Sequence, residues 1–193
     1  MSVICGIADL CGGIFQFEIL KNMSRSLKVY GQKSSFAYIN RGVGLQAENE
    51  AKNYSVKVGK QGNLAIVFDG ELDNKKELAS PLSLSEDICS AELAISLYSE
   101  IGSSALNYFS GEFALAIYDE PQRALILSRD KKGAKPLFYT LESQTLIFAS
   151  EYTALLCASA SRDQEICELK AGCFAAYSPF GLEIRMIGEA FIL

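Results

Sequence analysis

The chain has 193 residues, 49% of them apolar and 21% charged, which suits one domain with a proper core and excludes a disordered polymer. Its formal net charge of −5, against a single basic cluster at Arg129, Lys131, Lys132 and Lys135, argues against a nucleic-acid ligand. The longest apolar runs, such as Leu64–Phe68 and Phe113–Tyr118, are of strand length and far short of the roughly 20 residues of a membrane span. With no basic segment before Ile4 to resemble a signal peptide, the expected location is cytoplasmic, away from membranes.

Val3–Leu10 reads as a buried strand ending at Gly12-Gly13. Ile19, Leu20, Met23, Leu27 and Tyr30 then recur at helical spacing, so an amphipathic helix is expected over about 15–30, closed by Gly31. Strand-like runs follow at Ser35–Ile39, Val43–Gln46, Tyr54–Val58 and Leu64–Phe68, the last broken by Asp69-Gly70. Between 72 and 109 the pattern is helical, with Ala91, Leu93, Ala94, Ile95, Leu97, Tyr98 and Ile101 paving adjacent stripes. Strands return at Phe113–Tyr118 and Ala124–Leu127, around a loop of residues 119–122, and at Phe138–Thr140 and Thr145–Ala149. A two-turn helix at 151–158 precedes strands near 173–177 and 182–187. Two clusters of antiparallel-looking strands separated by helices predict an α+β fold of two sheets packed face to face under helices, with no linker or second domain.

Six cysteines stand at 5, 11, 89, 157, 167 and 173 without CxxC spacing, and histidine is absent. No metal or other cofactor is expected from that set, and most of these thiols read as small buried residues. The missing histidine excludes Ser-His-Asp and Cys-His catalysis. A covalent catalyst in this chain needs another base, and the α-amine of an N-terminal residue is the obvious one.

Three ordered motifs carry more information. Gly111-Glu112-Phe113-Ala114 leads through Ile117-Tyr118 to Asp119. Arg129-Asp130-Lys131-Lys132-Gly133-Ala134-Lys135-Pro136-Leu137 follows, and then Ala149-Ser150-Glu151. In order and separation they resemble the class II glutamine amidotransferase domain of asparagine synthetases and of glutamine phosphoribosylpyrophosphate amidotransferase. Cys5-Gly6-Ile7 is similar to that family's opening, and Tyr30-Gly31-Gln32 falls where it has an Arg-Gly element. Asp69-Gly70-Glu71 falls at its Asn-Gly-Glu, and Glu168-Leu169-Lys170-Ala171-Gly172 resembles its closing segment. The resemblance spans nearly all of 1–193 and implies a four-layer αββα sandwich of the Ntn-hydrolase type, as a single domain.

It also implies a chemistry: an N-terminal cysteine attacks the side-chain amide of glutamine, and water cleaves the thioester to glutamate and ammonia. Cys5 takes the nucleophile position, so Met1–Ile4 would be a propeptide, because an acylated α-nitrogen has no basicity. The oxyanion hole maps to Asp69 and the backbone N–H of Gly70. An ionised carboxylate at 69 would repel the developing charge, so Asp69 could serve only when protonated. Glu71 matches the family glutamate that binds the substrate ammonium, and Ser90 stands where a second carboxylate is expected, with Glu92 beside it. No arginine occupies 44–50 to hold the substrate carboxylate; Arg41 is near but off register. Three readings therefore stand open. One is a glutaminase that loses Met1–Ile4 and passes ammonia to a synthetase-type partner. Another is a catalytically silent module beside such a partner. The last is an Ntn hydrolase whose substrate lacks an α-carboxylate.

Overall fold

The computed structural model describes residues 2–12, 17–27, 34–40, 42–49, 56–59, 62–158 and 164–189. In chain order the strands are β1 (Ser2–Asp9), β2 (Ser34–Asn40), β3 (Val43–Asn49), β4 (Val56–Val58), β5 (Leu64–Leu72), β6 (Gly111–Asp119), β7 (Ala124–Arg129), β8 (Phe138–Glu142), β9 (Thr145–Ala149), β10 (Cys167–Glu168), β11 (Cys173–Ser178) and β12 (Gly181–Met186). The helices are α1 (Phe17–Leu27), α2 (Lys75–Ala79), α3 (Ser90–Ile101) and α4 (Tyr152–Ala158), and a 3-10 helix at Gly102–Tyr108 follows α3.

One sheet has the order β10-β8-β9-β1-β3-β2 and the other β12-β11-β7-β6-β5-β4, with every neighbouring pair antiparallel. Side-chain alternation along the strands sorts the apolar residues into three layers. Ile4, Ala8, Leu45, Val67, Leu127 and Phe148 fill the space between the sheets. Val3, Cys5, Ile7 and Ile147 pack outward against Leu20, Met23 and Leu27 of α1 and Ala154 and Leu155 of α4. Ile66, Phe68, Leu115 and Ile117 pack outward on the other side, against Leu93, Ala94 and Tyr98 of α3. The result is the expected αββα sandwich, and α1 and α3 are helices because their apolar residues recur every three or four positions on the buried side. No described helix is long and apolar enough to cross a membrane.

Three expectations change. Most of the thiols are not buried: Cys11 and Cys157 are exposed, Cys89 and Cys167 are partly covered, and Cys5 and Cys173 are buried. Asp69-Gly70 does not break its strand: β5 continues to Leu72, with Asp69 opposite Ala114 and Gly70 opposite Phe113 in unbroken register. Gly70 has φ +117°, and a Cβ there would lie 2.0 Å from the Glu112 carbonyl oxygen. Gly111, at φ +148°, comes equally close to the Glu71 carbonyl, where a Cβ would stand at 2.2 Å. Two glycines that cross at this point let the strands close on each other where any side chain would hold them apart. The helical stretch between 72 and 109 is divided among α2, α3 and the 3-10 turn. Tyr30, Gly31, Gln32 and Arg41 lie outside the described residues.

Candidate active site

Cys5 lies inside β1, flanked by Gln46 of β3 and Ala149 of β9, and is fully buried. Its neighbours on that face include an amide: Gln46 Nε2 donates to Ser24 Oγ of α1 at 2.7 Å, both side chains being buried. Gly6 has to be glycine, because a Cβ would press to 2.4 Å from the Phe148 ring and 2.7 Å from the Gly44 carbonyl. The Cys-Gly pair thus puts a thiol on the helix-facing side of the sheet and a gap for Phe148 on the other.

The residues before Cys5 are part of the sheet. Ser2, Val3 and Ile4 pair with Asn49, Glu48 and Ala47 of β3, and Val3 and Ile4 are buried. Ser150, the central residue of the Ala-Ser-Glu motif, clamps this segment from the end of β9. Its Oγ accepts the Ile4 N–H at 3.0 Å, and its own N–H donates to the Ile4 carbonyl at 2.8 Å. The nitrogen of Cys5 is consequently a strand peptide nitrogen, without a basic lone pair.

Asp69, Gly70 and Glu71 come together at the end of β5. Asp69 follows Ala65 and Val67 in alternation, so its side chain faces the space between the sheets, whereas Cys5 faces the helices. The carboxylate of Asp69 is 4% exposed and accepts from the Lys135 ammonium, with Nζ 3.2 Å from Oδ1. Lys135 is the residue the sequence left without a role. It belongs to the Arg129–Leu137 motif, whose loop is wound around one buried carboxylate. Asp130 accepts backbone N–H bonds from Lys132 at 2.8 Å, Ala134 at 3.2 Å, Lys135 at 3.3 Å and Phe113 at 3.2 Å. Arg129 closes the same loop through the carbonyls of Gly133 and Leu169, both at 2.8 Å, and through Glu168 at 2.7 Å. The motif is therefore a cradle that delivers a lysine ammonium to Asp69. A fixed lysine is not visible as a signal in the chain itself, because its partner is 66 residues away.

Glu71 is half exposed and is ion-paired with Lys75, four residues on at the start of α2. An ammonium already sits on the carboxylate that would hold a substrate ammonium. Ser90 is buried at the start of α3, and its Oγ accepts the Leu72 N–H at 3.0 Å. It ties the helix to the end of β5 and puts no charge there. Glu92 lies on the exposed side of the same turn, beside the Cys89 thiol. No three His, Cys, Asp or Glu side chains gather as a metal-holding group among the described residues. A cavity of about 460 Å³ opens between Asp9, Tyr118, Glu120 and Arg123, at the far end of β1 from Cys5.

Comparison with known proteins gives the family and the fold. Residues 4–176 match the family model described as "Glutamine amidotransferase domain". The chain is 30% identical over 165 residues to asparagine synthetase [glutamine-hydrolyzing] 2 of Bacillus subtilis, which covers 80% of this chain and 22% of that protein. It is 33% identical over 116 residues to amidase chry2 of Gibberella zeae, covering 54% of this chain and 17% of that one. The chain thus spans about a fifth of the length of the curated relatives it matches. Among solved structures, glutamine phosphoribosylpyrophosphate amidotransferase from B. subtilis superposes over 97% of this chain and 50% of its own, with a TM-score of 0.75 at 17% identity. A class-II glutamine aminotransferase domain protein from Silicibacter pomeroyi covers 99% of this chain and 100% of its own, with a TM-score of 0.56. The family model spans most of the chain and the superposed structure shares its fold, and the chain belongs to the class II glutamine amidotransferase domain family.

Proposed function

We propose that residues 1–193 form one glutamine-hydrolysing domain gated by its own first residues. While Ser2–Ile4 remain in the sheet it is catalytically silent, and a chain beginning at Cys5 hydrolyses glutamine to glutamate and ammonia. The observation that carries this reading is the placement of Cys5. On this reading Cys5 is the nucleophile, yet its nitrogen is a peptide nitrogen held in β1 by Ser150 on the preceding residue. Removal of Met1–Ile4 turns that nitrogen into an α-amine with a pKa of about 8 and frees the N–H and Oγ of Ser150 beside it. The amine then takes the thiol proton and returns it to the leaving ammonia. On this reading Gly70 offers its backbone N–H to the oxyanion. Lys135 stays with Asp69 between the sheets, on the side of β1 away from the Cys5 thiol, and the pair fixes the end of β5 that carries Gly70. Glu71 exchanges Lys75 for the substrate ammonium, and Ser90 keeps the end of β5 in place for it.

The second reading, a permanently silent binding module beside a synthetase-type partner, is favoured by the Asp69–Lys135 ion pair, which leaves no neutral amide donor at that position. Either way the proposed partner is a synthetase-type protein, the kind of protein that the matched asparagine synthetase [glutamine-hydrolyzing] 2 is. Treatment with a glutamine-analogue electrophile, followed by intact mass, separates the two. The gated reading predicts one adduct on Cys5 in the chain beginning there and none in the chain beginning at Met1. Absence of labelling in both leaves the silent module as the function.

A further inference from the structure

The second sheet ends in a strand whose outer side is open. Among the described residues nothing pairs with β12 beyond β11. The Ile187 N–H donates to the Gly172 carbonyl at 2.8 Å in line with the β11–β12 register. Odd-numbered residues of β12 therefore turn their backbone groups toward β11, while Leu182, Ile184 and Met186 turn theirs to the open side. The side chains of those three residues share a face, opposite Tyr177, Ala175 and Cys173 of the inter-sheet core. Leu182 is partly covered, but Ile184 is 47% exposed and Met186 60%. Phe180, in the turn that leads into the strand, is fully exposed. Glu183 and Arg185 occupy the other face and form an ion pair with each other.

An open edge with an apolar stripe is a template for another strand, and proteins ordinarily blunt such edges with unmatched charge, proline or a bulge. β12 has none of these, and its charges sum to zero. We propose that β12 is a homodimerisation edge, joined antiparallel to β12 of a second copy about a two-fold axis through Ile184. In that register Ile184 meets Ile184 of the other copy and Leu182 meets Met186, so the exposed stripe covers itself. The outward backbone groups of 182, 184 and 186 face their counterparts as hydrogen-bonding pairs. On the opposite face Glu183 of each copy meets Arg185 of the other in a closely spaced non-hydrogen-bonded pair, and the ion pair within one strand becomes two between strands. The sequence Leu182-Glu183-Ile184-Arg185-Met186 is self-complementary in this one centred register, in side-chain type and in backbone direction together. A second copy is the occupant this symmetry selects.

Sedimentation of the full chain tests the assignment. The wild type is expected at twice the 21.0 kDa chain mass. E183R presents two arginines per strand and R185E two glutamates. Each is expected to weaken self-association by about tenfold or more through facing like charges. An equimolar mixture of the two is expected to recover the dimer, because each strand then faces its opposite, and the E183R/R185E double swap is expected to stay dimeric. Ile184→Pro supplies a folded control, since the N–H it removes faces away from β11, and it is expected to be monomeric. A monomeric wild type, single charge variants that associate as tightly as wild type, or a mixture that stays monomeric would each overturn the proposal.

Discussion

Gly70 shows how a residue that looks like a strand breaker can hold two strands together. Its φ of +117° and its 2.0 Å clearance to the Glu112 carbonyl leave no room for a methyl group. Gly70→Ala is expected to cost about 3 kcal/mol or more, measured by denaturant unfolding; a loss below about 1 kcal/mol would mean that the two strands part without penalty. Lys135 is the complementary case, a residue with no local signal that the folded chain places beside a buried carboxylate. Lys135→Met takes the ammonium away from Asp69, a carboxylate 4% exposed, and is expected to cost about 2 kcal/mol. That is less than the ~3–5 kcal/mol of a wholly buried pair, because the lysine keeps contact with water. Asp69, Gly70 and Glu71 stand out in the sequence only as positions in a motif. That Asp69 faces a lysine depends on a loop 66 residues away that no local pattern ties to it.

At the scale of elements, the Arg129–Leu137 loop and the first strand do the positioning. The loop reads in sequence as a turn-rich scaffold, and the structure gives that scaffold a centre, the Asp130 carboxylate with its four backbone donors. Asp130→Ala orphans all four at a site that is 1% exposed. It is expected to destabilise the fold by about 3 kcal/mol or more and, by loosening the loop, to release Lys135 from Asp69. Hydrogen exchange at Lys132, Ala134 and Lys135 checks this, and unchanged protection would contradict it. The order of strands and helices was legible because period-two and helical patterns alternate cleanly along the chain. The continuation of β5 past Phe68 was not, since it depends on Gly111 of another strand, and neither was the two-residue β10, which is too short to carry a pattern.

Over the whole molecule the sandwich buries tyrosines against acidic groups, which sets a limit at high pH. Burial, then the Asp119 carboxylate and the hydrogen bond to it, push the Tyr98 hydroxyl far up. Burial, then the neighbouring Cys167, raise Tyr139 to about 12, and burial also raises Tyr177. Each folded-state pKa lies above the unfolded value of about 10, so the unfolded chain loses these protons first. The stability these tyrosines contribute is complete below pH ~10 and declines as pH rises through that value toward 12. Tyrosinate absorbance and circular dichroism should therefore change together in that window; full ionisation near pH 10 with an intact fold would contradict the burial. The family, fold and layer order were legible from the whole chain, but the state of its first residues was not. A strand that continues through Ser2–Ile4 and a strand that begins at Cys5 have the same pattern of alternating side chains. Glutamate release from glutamine by matched proteins beginning at Met1 and at Cys5 tests the central claim most directly. Background release is expected from the first and turnover from the second. Turnover by the chain that retains Met1–Ile4, or none from the chain that begins at Cys5, would contradict it.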